Sequence, residues 1–255
     1  MRHALSLARR IALPLGVPLV LLLLWEFASR ERLLNPLFFP PPSQVAQTWW
    51  RLIRSGTLLT DTRVSLVRVL FGFALGAVPA VALGMAMGLW QPLRSALLPT
   101  LVALYPIPRI AILPLVLVLF GLGESSKLFM VAFSVFFLLL LETVAGVQRI
   151  DPVLLDVARS VRVSRWRLYR SVAWPGSLPA IATGARLGMG FALIVIVGTE
   201  FVAARNGLGA RIWLAYQVLD MQTLYAGLVT TVLLGWALDA LLSLATRLAI
   251  PWAAG

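Results

Sequence analysis

Five to six runs of about twenty apolar residues constrain this chain more than any other feature in it. A run of that length crosses a bilayer as a helix. Lipid offers no partner to a backbone N–H or C=O, so only helices or closed barrels satisfy those groups. The long continuous runs lack the ten-residue alternation of a barrel, and the expected class is an all-α membrane protein with about six transmembrane helices. Composition agrees: 60% of residues are hydrophobic and 13% charged, where a soluble domain carries about a quarter charged.

The charge balance is basic, +12, with 22 Lys and Arg against 10 Asp and Glu. In so apolar a chain this excess reads as topology and attraction to anionic lipid, with no nucleic acid as partner, because basic loops are held on the cytoplasmic side. There is no Cys and a single His, His3. Disulfides, thiolate chemistry and Cys-ligated metal are therefore excluded, and the terminal His reads as solvated. The one lysine, Lys127, follows Ser126. A phosphate-binding loop needs Gly directly before its Lys, so the chain carries no Walker motif.

Taken in order, span one (11–28) follows Arg2, Arg9 and Arg10 and reads as an uncleaved first helix with a cytoplasmic start. Glu26 near its outer end is expected to reach the interface. Residues 35–43 are Pro-rich and extended, with Ser43 placed to cap the next helix. Residues 45–53 read as an interfacial helix, with Trp49 and Trp50 at headgroup depth. In span two (65–89), Gly72, Gly76, Ala80, Gly84 and Gly88 recur every four residues. Such a strip lets another helix approach backbone to backbone, and Pro79 predicts a kink.

Span three (96–120) is broken at Tyr105-Pro-Ile-Pro-Arg109, because a helix cannot run unperturbed through Pro-x-Pro. Arg109 there costs about 2.5–3.5 kcal/mol in lipid, so it should face a carboxylate or a polar pathway. Span four (128–147) carries Glu142. Span five (180–201) carries the close-packing pair Gly184 and Gly188, with Arg186 and Glu200. Span six (224–250) carries Asp239. The loop before span six holds a short amphipathic piece at 212–218. Three units follow: a tail and first span (1–34), an outer linker with its interfacial helix (35–64), and a core (65–255). Six spans put both termini on the inner side, together with the interval 149–179.

That interval is charge-dense between apolar runs. Arg149, Arg159, Arg162, Arg165, Arg167 and Arg170 stand against Asp151 and Asp156. Asp151-Pro152 reads as a helix start, followed by Leu154, Leu155 and Ala158 on one face. A second short helix, 164–174, sets Trp166, Tyr169 and Val172 on one side and is expected to stop at Pro175-Gly176. A basic amphipathic helix pair of this kind is suited to lie against a surface.

The interval resembles the cytoplasmic EAA loop of ABC-importer permeases. Asp156-Val157-Ala158 stands for the opening triplet, Arg162 for its Gly, and Val172-Ala173-Trp174-Pro175 for its close. Arg162 removes the residue that permits a left-handed turn. Phe39-Pro-Pro-Pro-Ser-Gln-Val45, Pro106-Ile-Pro108, Phe120-Gly-Leu-Gly123 and Gly207-Leu-Gly209 extend the likeness to the nitrate/sulfonate/taurine branch of that family.

The resemblance implies a type I importer permease fold in a bacterial cytoplasmic (inner) membrane. It implies a homodimer of permeases, two ABC ATPase subunits on the cytoplasmic side and an extracytoplasmic substrate-binding protein. No cofactor is expected in this chain; ATP and Mg belong to the ATPase. Leu154, Leu155, Asp156, Ala158, Arg159, Arg162, Arg165, Trp166, Tyr169, Val172, Trp174 and Pro175 become the ATPase-coupling set. Its apolar members would anchor and its arginines steer. The cargo would be a small anion such as nitrate, a sulfonate or taurine. Arg109, Glu142, Arg186, Glu200 and Asp239 are candidates for its pathway, as anion contacts or as each other's partners. The alternative is a self-sufficient ion-coupled carrier or channel. That would favour an inverted repeat, which the sequence does not display, and leaves the inner helix pair without a purpose. An intramembrane hydrolase lacks residues: there is no HExxH and no Cys.

Overall fold

The computed structural model describes residues 2–151, 153, 160 and 164–253, with backbone alone for 2–15, 165 and 253. Among the described residues the regular elements are helices: α1 Arg2–Arg30, α2 Pro42–Arg54, α3 Thr57–Leu89, α4 Gln91–Leu104, α5 Leu113–Phe120, α6 Glu124–Gln148, α7 Trp174–Ala203, α8 Leu208–Gln217 and α9 Met221–Ala249. Among the described residues four runs are long and apolar enough to cross a membrane: α3, α6, Trp166–Ala203 and α9. Helices α4 and α5 are joined through a 3-10 turn at Arg109–Ile112 and bent by 87°, giving a fifth crossing if taken as one broken span. Helix α1 is 29 residues long, and its side chains from Val17 to Leu24 are exposed and apolar, a surface suited to lipid.

Packing fixes the directions. Along α3, Gly72 meets Val131 and Gly88 meets Val147 of α6, so the two helices run parallel. Gly184 and Gly188 of α7 meet Glu142 and Val135, so α7 runs antiparallel to α6. The core lies where these three touch, around Val69, Val135, Leu139, Leu140, Ala192 and Ile196. The starts of α3, α6 and α9 and the end of α7 therefore meet at one end of the bundle, with α2 and α8. The opposite end carries Met85, Val147 and the segment leading into α7.

The closeness of α3 and α6 comes from the small residues. A Cβ on Gly72 would stand 2.6 Å from Val131 Cβ, on Gly84 2.7 Å from Thr143 Cβ, and on Gly88 2.5 Å from Val147 Cβ. On Gly76 it would strike the Ala132 carbonyl. Pro79 lies inside α3, which continues through it as one helix.

Several boundaries differ from the sequence expectation. Helix α3 starts at Thr57, because its polar first turns are covered by protein and bury Leu58 and Asp61. Helix α6 starts at Glu124, and α8 spans Leu208–Gln217 instead of 212–218. Ser43 does not cap α2. Glu26 of α1 does so from across the linker, its carboxylate accepting from Ser43 N (2.9 Å) and Ser43 Oγ (2.8 Å). Trp49 Nε1 donates to Thr230 Oγ1 at 2.9 Å, and Trp25 packs on Tyr225 at 5.2 Å, so α1 and α2 are both fastened to α9.

The expected stop at Pro175-Gly176 is absent. A helical turn at Arg165–Leu168 passes into a π-helical turn at Tyr169–Ala173 and then directly into α7. Proline conflicts with the carbonyl four residues before it. The widened turn falls where Pro175 would meet Ser171, so the run of 38 residues from Trp166 to Ala203 is unbroken.

Candidate functional site

The coupling set divides in two. Leu154, Leu155, Asp156, Ala158, Arg159 and Arg162 lie outside the described residues, and Arg165 is described by its backbone alone. The rest form one ladder. Trp166 stacks on Tyr169 at 5.5 Å between ring centroids, and Tyr169 leans on Trp174 at 6.3 Å. Tyr169, Val172 and Trp174 pack against buried Met85, Val147, Ile150 and Ala173. Ser177 Oγ donates to the Trp174 carbonyl (3.1 Å) and to Met85 Sδ (3.2 Å), fastening the ladder's base to α3. Its tip is left out: Trp166 is 69% exposed, as is Val153 at 63%. Trp166 thus offers a large indole face at a helix end that nothing among the described residues covers.

The opposite end holds a buried polar network that spacing alone does not reveal. Arg68 of α3 donates through Nε and Nη2 to the Glu124 carboxylate, both at 2.7 Å. Its Nη1 donates to Glu200 Oε1 (2.7 Å) and to the Asn206 carbonyl (2.8 Å). Glu200 is wholly buried. It also accepts from Ser65 Oγ and from Gly209 N, both at 2.9 Å. Asp61 accepts from Gly207 N (3.0 Å) and from Arg211 Nε (2.8 Å). Gly207 has φ +113°, and a side chain there would run into the Glu200 carboxylate. The network thus ties α3, α6, α7 and the start of α8 together. The signal available in the sequence was Arg68 within the apolar span 65–89, too costly there without a partner.

The other charged candidates fall elsewhere. Arg186 of α7 donates from Nε and Nη2 to the two oxygens of Asp239 on α9, both at 2.9 Å. The pair is half-exposed, 44% and 52%. Glu142 is half-buried beside Gly184. Arg109 faces no carboxylate among the described residues. Its guanidinium lies over the rings of Tyr105 (5.3 Å) and Phe191 (5.4 Å), with Nη2 buried and unpaired. Beside it, Ile110 lines an apolar groove of about 740 Å³ between α7 and α9 that also reaches Trp236 and Asp239. No group of three metal-binding side chains occurs among the described residues.

Broken and continuous apolar helices, with charges set inside the spans and paired there, define a polytopic α-helical membrane protein. The comparisons give that class its family. The chain belongs to the binding-protein-dependent transport system inner membrane components, which match it over residues 57–254. Members are non-catalytic permease subunits of ABC importers that work with an ATPase and a binding protein. The chain is 31% identical over 251 residues to the taurine transport system permease protein TauC of Escherichia coli (strain K12), covering 96% of this chain and 91% of that one. It is 35% identical over 243 residues to the riboflavin transport system permease protein RibX of Chloroflexus aurantiacus, covering 94% and 91%. The putative aliphatic sulfonates transport permease protein SsuC of Escherichia coli (strain K12) is 30% identical over 239 residues, 94% and 91%. A chain of the MetNI methionine ABC transporter shares the fold, with a TM-score of 0.60 at 17% identity over 82% of this chain and 99% of that one.

Proposed function

We propose that this chain forms the pathway of an importer for a small anion of the sulfonate class, as two identical copies driven by two ATPase subunits seated on the interval 149–179. Relatives named for taurine and aliphatic sulfonates support the cargo class. ATP and Mg act in the ATPase. Both termini and the interval 149–179 face the cytoplasm. Helices α2 and α8 face outward, where a binding protein delivers the solute.

The observation that carries the coupling reading is Trp166, exposed at its tip yet continuous through the π turn with all of α7. Thirty-eight helical residues reach about 57 Å, so a push on the ladder travels as movement of a rod. The far end of the rod carries Glu200, tied to α3 and α8. A tilt of α7 therefore changes how α3 and α8 stand around it. Arg109 and the half-exposed pair Arg186–Asp239 are the charges offered to the pathway. In this reading Glu200 holds the outer end together.

The test is co-purification of the ATPase with the solubilised chain. Trp166→Glu removes an aromatic anchor, for which a loss of about 2 kcal/mol or more is typical, about 30-fold in affinity. The expected result is an ATPase retained by the wild type and lost from the variant, with the variant's melting temperature unchanged. Equal retention by both would remove Trp166 from the coupling surface.

A further inference from the structure

The broken span carries the inference, which rests on the permease reading. Arg186 and Arg211 each meet a carboxylate, and Arg68 meets two. Arg109 meets none among the described residues, although its Nη2 is buried. A buried donor left unpaired is costly. A guanidinium facing lipid is costly as well.

What surrounds Arg109 instead is aromatic. Tyr105 closes α4, Phe191 stands on α7, and the guanidinium lies over both rings. Ring faces attract such a cation, and the two centroids lie at nearly equal distances from it. Its fork, which fits an oxyanion in two-point fashion, meets no acceptor among the described residues, the buried Nη2 included. Tyr105 and Phe191 are each 39% exposed, so the rings beside Arg109 reach the surface of the protomer. Phe191 lies 17 residues after the start of α7 and 12 before its end, which puts the site about 18 Å from the nearer helix end, at membrane depth.

We propose that Arg109, walled by Tyr105 and Phe191, binds the monoanionic oxyanion head of the carried solute, a sulfonate or carboxylate. Pro106 and Pro108 free the chain from helical geometry there, so the arginine is carried on a short 3-10 turn between two half-helices. One guanidinium matches one negative charge. The neighbouring groove past Ile110 supplies apolar wall for the remainder of the molecule.

The experiment uses the detergent-purified complex of this chain with its ATPase and reads the melting temperature. Methanesulfonate is compared with chloride at equal ionic strength, with riboflavin, and with vesicles of anionic phospholipid. Methanesulfonate is expected to raise the wild-type midpoint. Arg109→Gln abolishes that shift, and Arg109→Lys weakens it about tenfold in apparent affinity, since a point charge replaces the fork. Arg54→Gln, an exposed arginine elsewhere, leaves it intact. No shift in the wild type, or an equal shift in Arg109→Gln, overturns the proposal. So does an Arg109-dependent shift given only by riboflavin or only by the phospholipid. Loss of the ATPase from the wild-type preparation speaks against the permease reading itself. An intact wild-type complex without a methanesulfonate shift speaks against the site alone.

Discussion

Arg68 shows how a single residue makes charge tolerable inside an apolar helix. Each of its three nitrogens finds an acceptor, and one of those acceptors, Glu200, is itself met by Ser65 and Gly209. Breaking a buried pair from one side leaves a charge uncompensated, a loss of about 3–5 kcal/mol. Glu200→Ala is expected to fall in that range in thermal unfolding. Glu200→Gln, which keeps the size and one of the two accepting oxygens, should lose less. A wild-type melting temperature in Glu200→Ala would contradict the role of the network. That charges matter here was legible, since an ionised group in a span demands a partner. Which groups meet was not. Arg68 and Glu200 are 132 residues apart, Arg186 and Asp239 are 53 apart, and no periodicity links either pair.

At the scale of elements, the strip of small residues in α3 was readable because it recurs at helical spacing, and α6 lies along it. Its members differ in what they tolerate. Gly76→Leu would drive a side chain into the Ala132 backbone, and overpacking of this kind costs about 1–3 kcal/mol or more. Gly188→Ala would bring its Cβ no nearer than 3.6 Å to Phe73 and Val135, an ordinary contact, and should melt within about 0.5 kcal/mol of the wild type. Chemical unfolding of the two variants side by side checks the contrast; equal melting would contradict it. The continuity of α7 was not readable. Proline and glycine in sequence signal a stop, and here a π turn at Tyr169–Ala173 leads into Trp174–Pro175 without a break. Helix α2 was legible from its amphipathic pattern. Its cap was not, because Glu26 reaches it from another helix.

For the whole molecule, hydropathy alone was enough to place the chain in a membrane, and the break in the third span followed from two prolines. The arrangement around that skeleton comes from contacts that no local pattern encodes: an aromatic ladder fastened to α3 at one end, a charge network fastening α3, α6, α7 and α8 at the other, and a continuous helix between them. In the proposed coupling such a body would move as a unit when one end is displaced, its direction of work set by whatever grips the ladder. The most direct measurement is accumulation of labelled taurine in proteoliposomes holding this chain alone, or this chain with its ATPase and binding protein, under an ion gradient and with ATP. An ATP-driven permease predicts accumulation only in the complete assembly and only with ATP. Uphill accumulation by the chain alone, driven by the ion gradient, would contradict it.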